Sequence, residues 1–323
     1  MKEIGGYLEF EDLGGREFYP GLLKLNLGRT ACTFYLKGTG VRRLYMPVFM
    51  CASLTDAVRE AGIELVFYNC DRRLHPLLSD LPAGPLPEGE CLFLCNAYGQ
   101  LENDTILSLK ETYAHILVDN THAFFQPPAP GVATLYSVRK FFGVTDGAYL
   151  ASDVPLTPPE MRDESHARFS HVLGRYEKDA GTFYKAMLDN AHSYEGAPAM
   201  RMSRLTEDLL GALPYEAIEE KRRANYERLA ERLDGHNPLA GLFRKPDGGP
   251  FVYPFLIEKG PEVRRALASQ KIFVPTYWTN VMADAAPGSV EADYAANILA
   301  LPCDQRYGAE EMDAVAEAVL ACL

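Results

Sequence analysis

The sequence predicts an α/β protein with a large domain built on a mostly parallel sheet and a small α+β domain at its C-terminal end. Short apolar runs alternate with helical patterns from residue 22 to about 150, as in strands joined by crossover helices. Gly, Pro, Asn or Asp stands at each junction. The pattern becomes largely helical and charged afterwards, so we expect a large domain at 1–204 and a small one at 205–323.

The elements of the large domain follow one another in a regular order. The predicted strands are LLKLNLG (22–28), RRLYMPV (42–48), IELVFYN (63–69), ECLFLCN (90–96) and HILVDN (115–120). The predicted helices are RTACTFYL (29–36), SLTDAVREAG (53–62), with Ser53 as its cap, and TILSLKETY (105–113). Ligands of such a fold bind beyond the carboxyl ends of the strands.

The second half of the chain has a different pattern. Residues 155–198 have helical periodicity and are expected to form a helical inter-domain segment. After MSRLTEDLLGAL comes PYEAIEEKRRANYERLAERL, a long helix with its charges on one face. The apolar segments FVYPFLI and ILALP and the closing helix AEEMDAVAEAVLACL complete a small C-terminal domain.

Composition excludes some functions. The formal net charge is -12 in 323 residues, which disfavours binding to nucleic acid or to an anionic membrane. The acidic N-terminal segment lacks the apolar core of a signal peptide, and no apolar run approaches the roughly 20 residues that cross a bilayer. The seven cysteines show no paired metal-ligand spacing. We therefore expect a cytoplasmic protein with reduced thiols and no metal site.

One carboxylate, one lysine and one serine stand close together in the stretch from VDNTHAFF to LYSVRKFFGVTDGAYL. Asp119 ends an apolar run, and Lys140 follows Ser137 among apolar neighbours. Such a carboxylate can hold the ring nitrogen of a pyridine aldehyde cofactor protonated, while the lysine forms a Schiff base with the aldehyde. Taken singly, Lys140 is also typical of a surface lysine and Asp119 of a helix cap or turn residue.

Other polar residues surround this pair in the predicted fold. His122, three residues after Asp119, is placed to contact the cofactor ring, or else is a packed histidine. The turn LGRTA offers backbone N–H groups at a helix N-terminus and the Thr30 hydroxyl, which suit a phosphate group but also fit an ordinary helix start. Further residues are candidates either for the pocket or anionic substrate, or for packing and a solvated helix face: Asn96, Tyr98, His166, Arg168, His171 and Arg175.

Several motifs together resemble the DegT/DnrJ/EryC1/StrS family of sugar aminotransferases. LNLGRTA resembles the family's Gly-Thr-Ala turn, YMPVFMCAS its Pro-containing segment, and NAYGQ its Tyr-Gly-Gln turn. VDNTHAF resembles its Glu-Asp-Ala-Ala-His/Gln box. Asp146 and Gly147 stand at the distance from Lys140 that the family's Lys-x5-Glu-Gly-Gly pattern requires. EKRRANYERLAERL and ILALPCDQRYGAEEMDAVAEAV resemble the closing domain.

The resemblance implies a fold-type-I pyridoxal-phosphate (PLP) enzyme. It makes Lys140 the Schiff-base lysine and Asp119 the partner of the pyridine nitrogen, with His122 beside the cofactor. The further cofactor-binding residues that it implies are Gly28, Arg29, Thr30, Cys51 and Ser137. It also implies a homodimer that moves an amino group, from a donor such as glutamate, onto a keto sugar or a nucleotide-linked keto sugar.

The chain departs from the family's pattern at two places. Ser137 stands three residues before Lys140, whereas the family's serine stands five before its lysine. The segment AMRMSRLTE lacks the Asn with which the family binds phosphate from the partner subunit. The missing Asn, together with loops shorter than those of the family, keeps open a second interpretation, in which the fold binds PLP without catalysis, as a sensor or scaffold.

Overall fold

A computed structural model describes residues 4–323 and contains one large sheet of seven strands. The strands are β1 (Leu23–Leu25), β2 (Arg43–Pro47), β3 (Glu64–Tyr68), β4 (Glu90–Cys95), β5 (Ile116–Asp119), β6 (Ala133–Ser137) and β7 (Ala148–Ala151). Their order is β1-β7-β6-β5-β4-β2-β3, and only β7 runs against the others. The sheet is therefore largely parallel, as predicted.

The helices fall into two groups along the chain. Three connect the parallel strands: α1 (Gly28–Gly38), α2 (Ala52–Glu60) and α3 (Asn103–Thr112). The others follow the sheet: α4 (Ser170–Glu177), α5 (Tyr184–His192), α6 (Arg204–Gly211), α7 (Tyr215–Leu233), α8 (Gly260–Ser269), α9 (Val281–Asp284), α10 (Val290–Asn297) and α11 (Ala309–Leu320). In the part of the chain that the structure describes, no helix is both long and apolar enough to cross a bilayer.

A second, smaller sheet lies near the C-terminal end. It pairs β8 (Val252–Leu256) with β9 (Ile298–Pro302) in antiparallel register. The long helix α7 and the last helix α11 pack beside it, and their apolar faces share one core. Fully or almost fully buried members of that core include Leu229, Phe255, Leu301, Met312 and Val319. The boundary near residue 205 between two domains stays a prediction.

The central strands are buried on both faces. The run CLFLC in β4 is buried throughout, and so is ILVD in β5. Helices on both sides of a parallel sheet remove both faces from water, which explains why these strands are continuous apolar runs rather than alternating ones. Such burial makes an ionisable residue at the end of β5 unusual.

One local expectation was wrong. The helix α2 begins at Ala52 with Cys51 in the capping position and no side-chain cap, so Ser53 lies inside the first turn. Its hydroxyl instead lies 3.5 Å from the Cys51 sulfur.

The segment 155–198 contains the helices α4 and α5, and its role between two domains stays a prediction. Between these helices, the Asp179 carboxylate accepts hydrogen bonds from the backbone N–H and the hydroxyl of Thr182 and forms a turn.

Candidate active site

The carboxyl ends of β5 and β6 lie side by side at one edge of the large sheet. β5 ends at Asp119, whose partner in the parallel strand β6 is Leu135. β6 ends two residues later at Ser137, and a single turn of 3-10 helix then leads to Lys140. The fold thus brings the predicted carboxylate, hydroxyl and amine to the same edge, although up to 21 residues separate them in sequence.

The Asp119 carboxylate is buried, with 6% of the residue exposed. One oxygen accepts a hydrogen bond from the Thr121 backbone N–H at 2.9 Å. Burial raises the pKa of Asp119 to about 6, against the opposing effects of the Thr121 hydrogen bonds and the positive Lys140. A nearby proton donor or cation would stabilise the negative charge of a carboxylate in this position. Thr121 was not singled out in the sequence.

The Lys140 side chain is solvent-accessible, yet protein atoms crowd its amine. Its Nζ lies 5.0 Å from the centre of the Tyr277 ring. This crowding lowers the pKa of Lys140, the positive Arg139 lowers it further, and Cys51 and Asp119 oppose the change. A lowered pKa leaves a larger share of the amine unprotonated at neutral pH, and only the unprotonated amine can act as a nucleophile or accept a proton.

Cys51 lies close enough to this pair for both charges to act on it. It is partly buried at the start of α2. Burial raises the pKa of the Cys51 thiol, Asp119 raises it further, and Lys140 lowers it. Cys51 is therefore a neutral thiol beside the lysine, at the place predicted for a residue against the cofactor ring.

His122 is buried, with both ring nitrogens lacking a hydrogen-bond partner among the described residues. Its ring is stacked on Phe251, with centroids 4.2 Å apart, and on Trp278, with centroids 5.5 Å apart. Burial lowers the pKa of His122 well below its usual value, so the ring is neutral. A neutral imidazole has one donor and one acceptor, and leaving both unpaired is costly unless a ligand binds them.

The N-terminus of α1 faces the same edge of the sheet. A Cβ added to Gly28 would lie 3.5 Å from the Ser137 Cβ and 3.9 Å from the Thr121 hydroxyl oxygen. No side chain caps this helix. The Thr30 hydroxyl is buried and donates to the Asn26 side-chain oxygen at 2.6 Å. The first backbone N–H groups of α1 and the Ser137 hydroxyl thus form a cradle suited to an anion.

Asp146 and Gly147, which match the family's Asp/Glu-Gly step, hold the lysine turn in place. The buried Asp146 carboxylate accepts hydrogen bonds from the Ser203 backbone N–H at 2.7 Å and the Ser203 hydroxyl at 2.8 Å, at the start of α6. Gly147 has φ +116°, and a Cβ there would lie 2.5 Å from a methyl group of Val138. Both residues therefore act on the structure around Lys140 rather than on a ligand.

A C-terminal loop covers the site from above the sheet edge. Tyr277 contacts Lys140, and Trp278 packs against Phe49 with ring centroids 5.1 Å apart. The Asn280 side chain donates to the Met50 carbonyl at 3.0 Å and accepts from the Ala52 N–H at 3.2 Å. Sequence reasoning missed this loop because nothing local in IFVPTYW shows that it meets residues more than 100 positions earlier.

Other predicted candidates take different places. The buried Asn96 amide donates to the Asn120 side-chain oxygen at 3.0 Å, so it serves packing. Tyr98 is buried and stacks near His122, at a centroid distance of 5.7 Å. His166 and Arg175 are exposed on the surface. Arg168 and His171 are partly buried.

Two cavities reach the site. One, of about 410 Å³, has His122, Phe125 and Arg244 among its lining residues. The other is a groove of about 950 Å³ that runs between α1 and α2 and includes Arg29, Thr30 and Tyr194. The two cavities share no lining residue, and neither has Asp119, Ser137 or Lys140 in its lining.

The residues present fit PLP. The uncapped start of α1 suits its phosphate, the buried Asp119 suits its ring nitrogen, and the unpaired nitrogens of His122 suit its polar ring substituent. Lys140 brings an amine of lowered pKa to the same edge of the sheet. Within residues 4–323, no group of three or more His, Cys, Asp or Glu side chains is placed to hold a metal ion.

Solved structures with a similar fold include sugar aminotransferases. A DegT DnrJ EryC1 StrS aminotransferase from Brucella abortus is 14% identical, with a TM-score of 0.61 over 93% of this chain and 85% of its own. CalS13 from Micromonospora echinospora is 13% identical, with a TM-score of 0.62 over 94% and 87% of the two chains. DesV from S. venezuelae, solved with a ketimine intermediate, is 19% identical, with a TM-score of 0.60 over 92% and 83%.

No family model and no curated protein matches the sequence. The similarity is thus one of three-dimensional structure, and it extends over nearly the whole of this chain. It agrees with the order of strands and helices and with the mostly parallel sheet described above. The chain therefore has the fold of the fold-type-I PLP-dependent sugar aminotransferases.

Proposed function

We propose that this protein is a PLP-dependent aminotransferase that moves an amino group from a donor, such as glutamate, to a keto sugar or a nucleotide-linked keto sugar. The observation that carries the proposal is the meeting of Asp119 and Lys140 beside the uncapped start of α1. The shared fold with sugar aminotransferases supports the substrate class. We also propose a homodimer, which the resemblance of the sequence motifs implies, and a cytoplasmic location, which is an expectation from the sequence alone.

Each residue has a separate task in this proposal. Bound PLP supplies an electron-withdrawing ring that stabilises negative charge on the donor's carbon. The Asp119 carboxylate holds a proton on the ring nitrogen, which strengthens that effect. His122 fixes the orientation of the ring through the nitrogens that lack protein partners. The N–H groups of α1 and the Ser137 hydroxyl bind the phosphate.

Lys140 would act twice. Its Nζ would hold the cofactor through a covalent bond to the aldehyde carbon, with water as the leaving group, and the lowered pKa makes the unprotonated amine more available for this. When free, the same Nζ would accept the proton that leaves the donor's carbon and would later give it up again.

The test is to add PLP to the purified protein, follow the yellow colour of the bound cofactor, and then add glutamate. Discharge of the colour by glutamate supports an aminotransferase. Lys140→Ala and Lys140→Arg should lose the borohydride-reducible attachment, with activity lower by at least about a thousandfold. Lys185→Ala, at an exposed lysine on α5, is the matched control.

A non-catalytic PLP sensor or scaffold is the second candidate. The segment AMRMSRLTE without Asn, and the packing of Tyr277 and Trp278 over Lys140 and His122, favour it. Colour that binds to Lys140 but that no amino acid discharges would select this function. Sedimentation of the purified protein tests the homodimer separately.

A further inference from the structure

A fully buried arginine side chain lies next to the turn that carries Lys140. Arg222, on the long helix α7, has only 1% of its surface exposed and is the largest of the fully buried side chains in the described chain. An arginine keeps its charge in proteins, and burial of a charge is costly unless its donors are engaged. The bonds of this guanidinium group therefore decide what Arg222 does.

The guanidinium group of Arg222 is bound by acceptors on three separate segments. Its Nη2 donates to the Phe141 carbonyl at 3.1 Å, and its Nη1 donates to the carbonyls of Pro250 at 2.9 Å and Phe251 at 3.3 Å. Its Nε donates to the Gln305 side-chain oxygen at 2.8 Å. All four acceptors are uncharged, so hydrogen bonds to neutral groups compensate for the burial of this charge.

The first of these segments is the lysine turn itself. Phe141 directly follows Lys140, and the guanidinium carbon of Arg222 lies 4.4 Å from the centre of the Phe141 ring. The Gln305 side-chain amide donates to the Phe141 carbonyl as well, at 2.9 Å. Phe141 is thus held through both its carbonyl and its ring, which limits the movement of the adjoining Lys140 backbone.

The second segment supports His122. The Phe251 carbonyl accepts from Arg222, and the Phe251 ring stacks on His122 with centroids 4.2 Å apart. The ring of Phe251 also lies 5.5 Å from the ring of Phe141. One buried side chain therefore connects the backbone next to Lys140 with the backbone that supports His122.

We propose that Arg222 is a positioning residue for the amino-transfer reaction: through the carbonyls of Phe141 and Phe251, it fixes the Lys140 amine relative to the His122 ring. This inference rests on the proposed function. Arginine suits the task because its planar group presents five donors in fixed directions, whereas a lysine amine carries three donors on one atom. Arg222 acts only through the groups that it holds.

Loss of these bonds should slow the chemistry and spare donor binding. A displacement of about 1 Å at a reacting group costs about a hundredfold in rate. In Arg222→Met, which keeps an unbranched side chain without donors, attachment of PLP to Lys140 should slow by roughly tenfold to hundredfold. Discharge of the colour by saturating glutamate should slow equally, with little change in the half-saturating glutamate concentration. Arg222→Lys retains one charged donor group and should recover part of the rate.

Arg264→Met is the matched control. Arg264, on α8, is 9% exposed and also donates to two backbone carbonyls, those of Ala296 and Ile298, each at 2.6 Å. These bonds hold the junction of α10 and β9 and not the lysine turn. Stopped-flow absorbance and borohydride trapping measure attachment, at a temperature at which circular dichroism shows each variant to be folded. Both variants should be less stable, and only Arg222→Met should react more slowly.

The rates decide between a positioning role and a purely structural one. A loss in Arg222→Met that exceeds the loss in Arg264→Met, and that Arg222→Lys partly restores, supports the inference. Equal rates in the two Met variants overturn it. Should Arg222→Met not fold, Gln305→Leu takes its place, because it removes the second donor to the Phe141 carbonyl and the acceptor of the Arg222 Nε. Gln305→Leu should slow attachment severalfold, and an unchanged rate overturns the inference.

Failure of the proposed function is distinguishable from failure of this inference. A wild-type protein that never turns yellow with PLP refutes the aminotransferase, yet Lys140 can still be labelled without cofactor. Labelling with trinitrobenzenesulfonate across a pH series, located by mass spectrometry, gives the pH profile of this amine. A looser turn exposes the amine to water, so the profile of Arg222→Met should shift to higher pH than in wild type and Arg264→Met. Identical profiles in all three proteins overturn the positioning role.

Discussion

The buried Asp119 carboxylate destabilises the protein without a ligand, and it is also the group proposed to hold a proton on the cofactor's ring nitrogen. Its carboxylate sits at the end of a buried strand, with a single backbone N–H donor at 2.9 Å. Without a bound proton donor or cation, the negative charge is poorly solvated there. A residue with this cost in the free protein is expected where a ligand compensates for it.

The pKa of Asp119 leads to a prediction of stability against pH. Its pKa rises from 3.8 to about 6 on folding, so the folded protein holds this proton more tightly than the unfolded chain. The resulting stabilisation is present at low pH and is lost as the pH rises through about 6, by as much as about 3 kcal/mol. Asp119→Asn should remove this dependence and stabilise the unliganded protein at neutral pH.

Urea unfolding of wild type and Asp119→Asn, from about pH 4 to about pH 8, measures this difference. The gap in unfolding free energy should widen with pH. The variant should also bind PLP more weakly, because it cannot hold a proton on the ring nitrogen. A gap that does not change with pH would show that the Asp119 carboxyl is not perturbed by burial.

Gly147 is the second residue whose identity the fold dictates. Its φ of +116° is one that residues with a side chain rarely adopt, and an added Cβ would lie 2.5 Å from a methyl group of Val138. Gly147→Ala should therefore lower the unfolding free energy by at least about 2 kcal/mol. Gly40→Ala is the matched control, since Gly40 has φ +70° with no atom within 4 Å of the added Cβ.

Denaturant unfolding of the two glycine variants separates the cost of backbone strain from the cost of the steric clash with Val138. Gly40→Ala should cost about 1 kcal/mol from backbone strain alone. Equal losses in the two variants would mean that Val138 moves aside freely. In that case the turn carrying Lys140 is less firmly held than the contacts of Gly147 indicate.

At the scale of elements, α6 is tied to the lysine turn through its first residues. The Ser203 hydroxyl accepts from the Thr206 N–H at 3.2 Å, donates to Asp146 at 2.8 Å and lies 2.7 Å from the Ser165 hydroxyl. One side chain thus caps the helix and holds the buried carboxylate beside the turn. The start of α6 and the site share a hydrogen-bond network.

A comparison of two serine caps measures how much this network contributes to the free energy of unfolding. Ser289→Ala removes only the cap of α10, a hydrogen bond from the Ala292 N–H at 3.2 Å, and should cost about 1 kcal/mol. Ser203→Ala also leaves the buried Asp146 short of a donor, so it should cost more, about 2–4 kcal/mol. Thermal unfolding of both variants gives the comparison. Equal losses would limit the role of Ser203 to capping.

At the scale of the whole molecule, a loop from the C-terminal third completes a site built by the first half. Trp278 is the single tryptophan of the chain. It lies against His122 and Phe49, both far away in sequence. Its environment must therefore respond to anything that binds next to His122.

Addition of PLP should quench the tryptophan emission of the wild-type protein in step with the appearance of the yellow colour. The reason is that Trp278 stacks on His122, while its chain neighbour Tyr277 lies against the Lys140 amine. Fluorescence titration, compared with an absorbance titration on the same sample, measures both. Emission that stays constant while the colour saturates would place the cofactor elsewhere.

Local sequence signals were strong for the sheet and weaker for the helical region behind it. The apolar runs of β2, β4 and β5 were predicted correctly because burial on both faces imposes a simple pattern. The edge strand β3 is only partly buried. The break between α4 and α5 near Asp179 was not predicted, because it depends on a side-chain turn and not on the spacing of apolar residues. The predicted cap at Ser53 was wrong because α2 begins at Ala52 without a side-chain cap.

The sequence by itself predicted the first five strands and the three helices between them as a mostly parallel sheet, because these depend on local patterns. It also singled out Asp119, Ser137, Lys140 and the α1 turn as candidate site residues, because parallel strands end at the same edge of a sheet. Only the tertiary structure decided which distant groups join them. Trp278 on His122, Tyr277 by Lys140, and Arg222 stacked on Phe141 arise from packing between segments that share no local pattern. Burial, and with it the perturbed pKa of Asp119, depends on that packing too.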